Sequence, residues 1–462
     1  MKIIIHNLLL ILSKKSIVLV GVLVSIVLYI GCTYEYEGTL DNLLTEALNS
    51  HSKTGKLEGY LLPSSDDYAS LPNQDVKNPI TQAKVDLGKL LFFETGIGVQ
   101  PKYLVSMQAY SCSSCHIPSR SFTAGRFQGI GDGGIGFGVS GEGRGKNPLY
   151  QGSEVDAQGA RPLAVINTTY ITNALWAGSF GSFDVNAGTE SVWHQDTLIE
   201  INFQDLMGLE ANNARALAVH RQMINRAVTD SLGYTGMFDA AFPEIPRNIR
   251  YTRLTGSFAI AAYLRTILTN EAPFQNWLKG NHTAMTDQQK QGAILFFGKA
   301  GCVRCHNSPS LNALPHKFVA LGVLNQFQTG LDVFRTDQND KRNLGRGGFT
   351  GLVEDMHKFK VPQLYNLKDF GFYFHGSSKT SIRSVVEYFN DAIPENPDVP
   401  VAEISPFFKP LHLTSDEVSD LVEFLENGLY DPDMTRYAPM QTLTGKCFPD
   451  NDAQAQVDLG CK

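Results

Sequence analysis

Cys112-Ser113-Ser114-Cys115-His116 and Cys302-Val303-Arg304-Cys305-His306 are two copies of one pattern, C-x-x-C-H, within a chain of 462 residues. In this pattern the two thiols add to the vinyl groups of a haem and the adjacent imidazole takes the iron from one side. Five residues thus supply both covalent anchors and one axial ligand. A single copy is also compatible with half of a zinc site. Two copies, with no further C-x-x-C pair to complete a zinc ribbon, point to two covalently bound haems c with His116 and His306 as proximal ligands.

The approach to each motif repeats as well. Gly88-Lys89-Leu90-Leu91-Phe92-Phe93 precedes the first and Gly292-Ala293-Ile294-Leu295-Phe296-Phe297 the second, a shared G-x-[LI]-L-F-F. Ala83, Leu87, Leu90 and Leu91 fall on one helical stripe, and Thr286 with Gln289 is spaced as a capping box opening a helix. The Phe pairs read as core packing. Tyr251 to Leu268, with Phe258, Ala261, Ala262 and Leu264, predicts a helix that closes the first half. Thr414 with Glu417 opens another, whose Val418, Leu421, Val422 and Leu425 are expected to pack under the second haem. No long alternating strand pattern occurs. The fold therefore reads as mostly α, two cytochrome c-like haem domains in tandem with long loops, spanning 59–272 and 273–440.

Three of the seven cysteines remain. Residues 1–31 carry Lys2, Lys14 and Lys15, then run uncharged from Ile17 to Ile30, shorter than the ~20 residues a spanning helix needs; this reads as an export signal. Tyr29-Ile30-Gly31-Cys32 resembles a bacterial lipobox, which makes Cys32 the expected lipidated first residue of a membrane-anchored lipoprotein; an uncleaved anchor is the alternative. Either way the body lies outside the cytoplasm, in the periplasm. The polar stretch 32–58 is expected to be a tether. Cys447 and Cys461, in a polar tail at 441–462, most simply form a disulfide in that oxidising compartment, with free thiols as the alternative. With 43% hydrophobic residues the chain is no disordered tail, and a formal charge of -7 argues against a nucleic-acid partner, which demands a basic footprint.

The order of these features resembles the bacterial dihaem cytochrome c peroxidase family, which includes the MauG-type methylamine-utilization enzymes. The resemblance rests on LGKLLFFE (87–94), SCSSCHIPSRSFT (111–123), the stretch from Asn167 to Trp176, GAILFFGKAGCVRCH (292–306), KFKVPQLYNL (358–367) and FYFHG (372–376). It implies a peroxidatic N-terminal haem, a C-terminal haem holding the second electron, and Trp176 between them. The implied reaction reduces hydrogen peroxide to water with electrons from a small cytochrome c or cupredoxin. The glycine-rich loop from Gly129 to Gly145 contains no His, so the first haem resembles those of MauG-type members, open to peroxide without activation. That loop is read as mobile.

Peroxide cleavage needs a group that moves a proton from one oxygen to the other. The family uses Glu-Met after an L-E-x-Q-A segment. Here Leu209-Glu210-Ala211-Asn212-Asn213 resembles that segment and the register falls on Gln222-Met223, so His220 and Glu210 become the acid-base candidates. The family's sixth ligand to the second haem, fourteen residues after the FH-x-G histidine (His375), falls on Phe389. Tyr388 beside it is the candidate ligand and Met356 the alternative. The Asn of the family's interdomain calcium site is replaced near Arg161, which argues against a bound calcium. Three functions stay open: a peroxidase, a MauG-type oxidase acting on a protein or small organic molecule, and a non-enzymatic dihaem electron carrier.

Overall fold

The computed structural model describes residues 40–461, so the export segment and Cys32 lie outside the described residues. The described chain is mostly helical, and its sheets are two-residue pairs: Gly134–Ile135 with Gly145–Lys146, and Phe318–Val319 with Phe359–Lys360.

Two crossed helix pairs organise the haem motifs. In the first, the Gln82–Phe93 helix crosses the Arg253–Arg265 helix; each starts on a Thr, Thr81 and Thr252, whose hydroxyl accepts a backbone N–H from the first turn. In the second, the Asp287–Phe297 helix, opened by the Thr286/Gln289 capping box, crosses the Ser415–Glu423 helix, opened by the Thr414/Glu417 box. The glycine of the repeated G-x-[LI]-L-F-F sits at each crossing. A Cβ on Gly88 would lie 1.9 Å from the Ala259 carbonyl oxygen, and one on Gly292 would lie 2.0 Å from that of Asp420. Only a residue without a side chain lets these backbones approach so closely. The phenylalanines that follow then reach the haem motif: Phe92 lies 6.3 Å from the His116 ring and Phe296 lies 6.3 Å from the His306 ring.

The two halves share one continuous apolar core that includes Tyr60, Phe274, Trp277 and Phe297. Residues 40–51, expected as part of a tether, are instead helical. Leu40, Leu44 and Leu48 recur at i, i+4 and i+8 and are buried, and Asp41 accepts the Trp277 Nε1–H at 2.7 Å and pairs with Lys290 at 2.9 Å. The polar composition of the stretch conceals that single apolar stripe.

The C-terminal segment crosses back to the first motif. Cys447 is bonded to Cys461, and Phe448 packs edge-on to Phe93 with ring centres 5.3 Å apart. The Ser111 hydroxyl donates to the Pro449 carbonyl at 2.8 Å, and that of Ser114 to Asp450 Oδ1 at 2.5 Å. The last residues of the chain thereby brace the turn that carries Cys112 and Cys115.

Candidate functional site

Each haem motif forms a short 3₁₀ turn, Cys112–Ser114 and Cys302–Arg304, which directs the following His inward. His116 Nδ1 lies 3.1 Å from the Phe122 carbonyl oxygen, and His306 Nδ1 lies 2.6 Å from that of Leu311. A carbonyl only accepts, so Nδ1 carries the proton in both rings and the Nε2 lone pair is left for a metal, the arrangement that orients ligating imidazoles. Burial pushes both rings down to about 4, against the pull of those hydrogen bonds, so both stay neutral at physiological pH. Burial also raises the Cys112 and Cys302 thiols to about 12. Glycine again makes room: a Cβ on Gly129 would stand 2.6 Å from Cys115 Sγ.

The residues present fit a haem. A cavity of about 350 Å³ opens beside the second motif, lined by Cys302, Cys305 and His306 and walled by apolar side chains such as Leu421, Leu425 and Phe389. Its size falls within the range of cofactor pockets. Trp176 lines the same cavity. Its Nε1–H donates to the Arg161 carbonyl at 2.8 Å, its ring lies edge-on to His375 at 6.3 Å, and its own carbonyl accepts from the Lys360 N–H at 2.8 Å. It thus ties a segment of the first half to two segments of the second.

The glycine-rich loop, read from sequence as mobile, is pinned. The buried Arg144 guanidinium donates to the carbonyls of Ile130, Gly131 and Gly136 and pairs with Asp450 at 2.9 Å. Asp458 Oδ2 accepts from the Phe137 and Gly138 amides at 2.7 and 2.9 Å. Glycines at positive φ let the loop fold onto these anchors, while the C-terminal segment that holds it lies more than 300 residues away in sequence.

The acid-base candidates separate cleanly. His220 ends the Gly208–Val219 helix, and its Nδ1 meets Asp156 Oδ2 at 2.7 Å with the side chain 31% exposed. Burial disfavours the charged ring, but the Asp156 carboxylate and its hydrogen bond outweigh it, so the pKa lies above the ordinary histidine value. The pair sits beside the first motif: His220 disfavours protonation of His116, and the Asp156 carboxylate disfavours ionisation of the Cys115 thiol. Glu210 is elsewhere engaged. Fully buried, it takes both terminal nitrogens of Arg265 at 2.6 and 2.9 Å and the Asn78 amide at 2.9 Å. That carboxylate holds two helices together and has no free oxygen to offer a substrate.

Tyr388 does not reach the second haem cavity. Its hydroxyl donates to the Leu321 carbonyl at 2.6 Å and its ring packs against Phe374 and Phe408. Consecutive residues on the Ile382–Asp391 helix point about 100° apart, and it is the neighbouring Phe389 that lines the cavity. Met356 is not among the lining residues; it packs against Gly347. Three participants were given no such role from the sequence. Asp156, partner of His220, follows no local pattern, and Arg161 and Lys360 became visible as cavity residues only once the two halves were together. Lys360 was nonetheless inside the quoted KFKVPQLYNL stretch.

Residues 82–283 match the protein family described as di-haem cytochrome c peroxidase. Among curated relatives, cytochrome-c peroxidase IdrP1 of Denitromonas iodatirespirans is 29% identical over 377 residues, covering 76% of this chain and 82% of the relative. Methylamine utilization protein MauG of Methylorubrum extorquens is 28% identical over 358 residues, covering 77% and 80%. Among solved structures, a MauG-like protein associated with microbial copper homeostasis superposes with a TM-score of 0.57 at 22% identity, over 81% of this chain and 95% of that one, a likeness of fold.

Proposed function

This chain belongs to the di-haem cytochrome c peroxidase family, and on that premise we propose that it is a peroxidase carrying two haems c, one at Cys112, Cys115 and His116 and one at Cys302, Cys305 and His306. It reduces one hydrogen peroxide with two electrons and two protons to two molecules of water. Haem iron, once attached, supplies the redox chemistry and the site at which peroxide is taken up. The observation that carries the reading is the His220–Asp156 pair beside the first motif, since a second imidazole, outside the C-x-x-C-H pattern and with a carboxylate behind it, is suited to proton transfer to a leaving oxygen.

The chain's own residues divide the work. His116 and His306 present Nε2 to the metal. His220 accepts a proton at its free Nε2 and returns it to the departing oxygen, while Asp156 on Nδ1 holds the ring's orientation and favours its charged form. Trp176, at the seam of the two halves, stands on the path between the motifs. A reduced small cytochrome c or cupredoxin supplies the electrons. We place the protein in the periplasm, anchored through lipid on Cys32; among the described residues no helix is long and apolar enough to cross a membrane.

A relative named MauG supports a second reading, an oxidase that draws electrons from a protein or organic substrate. Low-temperature EPR and optical spectra of the holoprotein, followed by steady-state turnover, separate the readings. A high-spin haem that reacts with peroxide, and two reduced cytochromes oxidised per peroxide, support the peroxidase. Reaction with peroxide without cytochrome oxidation points to the oxidase, and two low-spin irons inert to peroxide leave only an electron carrier.

A further inference from the structure

This protein pairs its buried cations with carboxylates. Arg144 meets Asp450, Arg265 meets Glu210, Lys290 meets Asp41, Arg250 meets Asp239 and Arg346 meets Asp355. Lys84, which has no direct carboxylate contact, lies in the fields of Glu244 and Glu210. Among the described residues, two buried cations have neither a carboxylate contact nor a carboxylate field, Arg161 at 5% and Lys360 at 3% exposure. Neither has a carboxylate within salt-bridge distance among the described residues, and no Asp or Glu acts on either charge. Both line the cavity that holds His306.

Their hydrogen bonds leave capacity unspent. Arg161 Nε donates to the Phe374 carbonyl at 2.9 Å and Nη1 to that of Pro162 at 3.3 Å, with no described partner for Nη2. Lys360 Nζ donates to the Asn173 carbonyl at 2.8 Å, which uses one of its three protons. Burial pushes Lys360 down to about 7 and Arg161 down to about 10. Unpaired buried charge is costly, so two such residues facing one cavity mark a place for two anions. Haem carries two carboxylates, its propionates.

We propose that Arg161 and Lys360 are the carboxylate-binding pair for the propionates of the haem attached at Cys302 and Cys305, and that through them the charge of that haem is coupled to Trp176. The inference rests on the assignment of a covalent haem to the second motif. The coupling follows from shared contacts: the Arg161 carbonyl accepts the Trp176 Nε1–H, the Arg161 guanidinium lies 5.6 Å from the Trp176 ring, and the Lys360 amide donates to the Trp176 carbonyl. Both are positioning residues, with their charge acting on the iron through the propionates. A cation paired with a propionate screens the negative charge that would otherwise favour ferric iron, so it raises the potential of that haem.

The test uses the holoprotein, with covalent haem counted by mass. Two haems per chain are the premise; a missing haem at the second motif refutes that assignment and not the pairing. Arg161→Met and Lys360→Met are each expected to shift the ferrous-to-ferric ratio of the second haem at least tenfold toward ferric, about 59 mV for one electron. The shift grows with pH as the unpaired propionate ionises, and the first haem is unchanged. Arg161→Lys, which keeps the charge, is expected to restore most of the potential. An unchanged second-haem potential in both Met variants, with two haems attached, overturns the proposal. Resonance Raman spectra of the wild-type holoprotein give a reading that needs no variant: propionate bending bands of hydrogen-bonded groups at the second haem support the pair, and bands of free propionates overturn it.

Discussion

Glu210→Ala tests whether this carboxylate serves the fold or the reaction. Glu210 and Arg265 are both fully buried, joined by two hydrogen bonds of 2.6 and 2.9 Å, with Asn78 contributing a third at 2.9 Å. Truncation leaves the Arg265 guanidinium with the Ala261 and Asn73 carbonyls at 3.4 and 3.3 Å, and the Asn78 amide with the Phe258 carbonyl. An uncompensated buried charge of this kind costs about 3–5 kcal/mol, a loss of roughly a hundredfold or more in the folded-to-unfolded ratio. Denaturant unfolding of the holoprotein, followed by Soret absorbance, is the assay. Replacing both partners by Met is expected to recover most of the loss, because a well-packed apolar pair needs no charge compensation. The reasoning fails if Glu210→Ala unfolds within about 1 kcal/mol of wild type while peroxide turnover collapses with both haems in place.

The opposite pattern is expected at His220. His220→Gln should leave haem content and stability near wild type and lower peroxide turnover by about 10²–10⁴. As a base His220 works in its neutral form, so activity falls on acidification through a pKa that Asp156 holds above the usual 6.5. Asp156→Asn removes that support, leaving burial and the Arg335 and Arg221 charges to disfavour the charged ring, and is expected to move the acid limb of the pH–rate profile to lower pH; an unmoved limb excludes the pair. The repeated glycines make a matched prediction. Gly88→Ala and Gly292→Ala each force a crossing apart by more than about 1 Å, and overpacking of this order costs about 1–3 kcal/mol and occasionally more, partly offset by the ~1 kcal/mol preference of helices for Ala. Each variant is expected to be less stable than wild type in denaturant and to broaden the Soret band of its own haem. Two variants as stable as the parent would show that the helices can slide.

Much of this molecule was legible in one dimension because the information is local. The attachment turns, the Thr-opened helices and the Gly at each crossing are each encoded in a short contiguous stretch, and each copy checks the other. The tether reading failed over 40–51 because three leucines on one helical face are diluted by polar neighbours, and burial depends on a partner, Trp277, far along the chain. The sixth-ligand reading failed because a shift of one residue on a helix turns a side chain by about 100°, which assigns Phe389 to the cavity and Tyr388 to the packing behind it.

By itself, then, the sequence carried what contiguous residues encode: two C-x-x-C-H turns, the basis of the two proposed haem sites and their proposed proximal ligands, and a helical unit built twice. Only the tertiary structure decided which charges meet. Glu210 is consumed by Arg265, His220 is backed by Asp156, the C-terminal segment braces the first haem turn, and Arg161 and Lys360 face the second cavity without a carboxylate. Covalent attachment needs residues adjacent in sequence, whereas the balance of buried charge is settled between residues that only folding brings together.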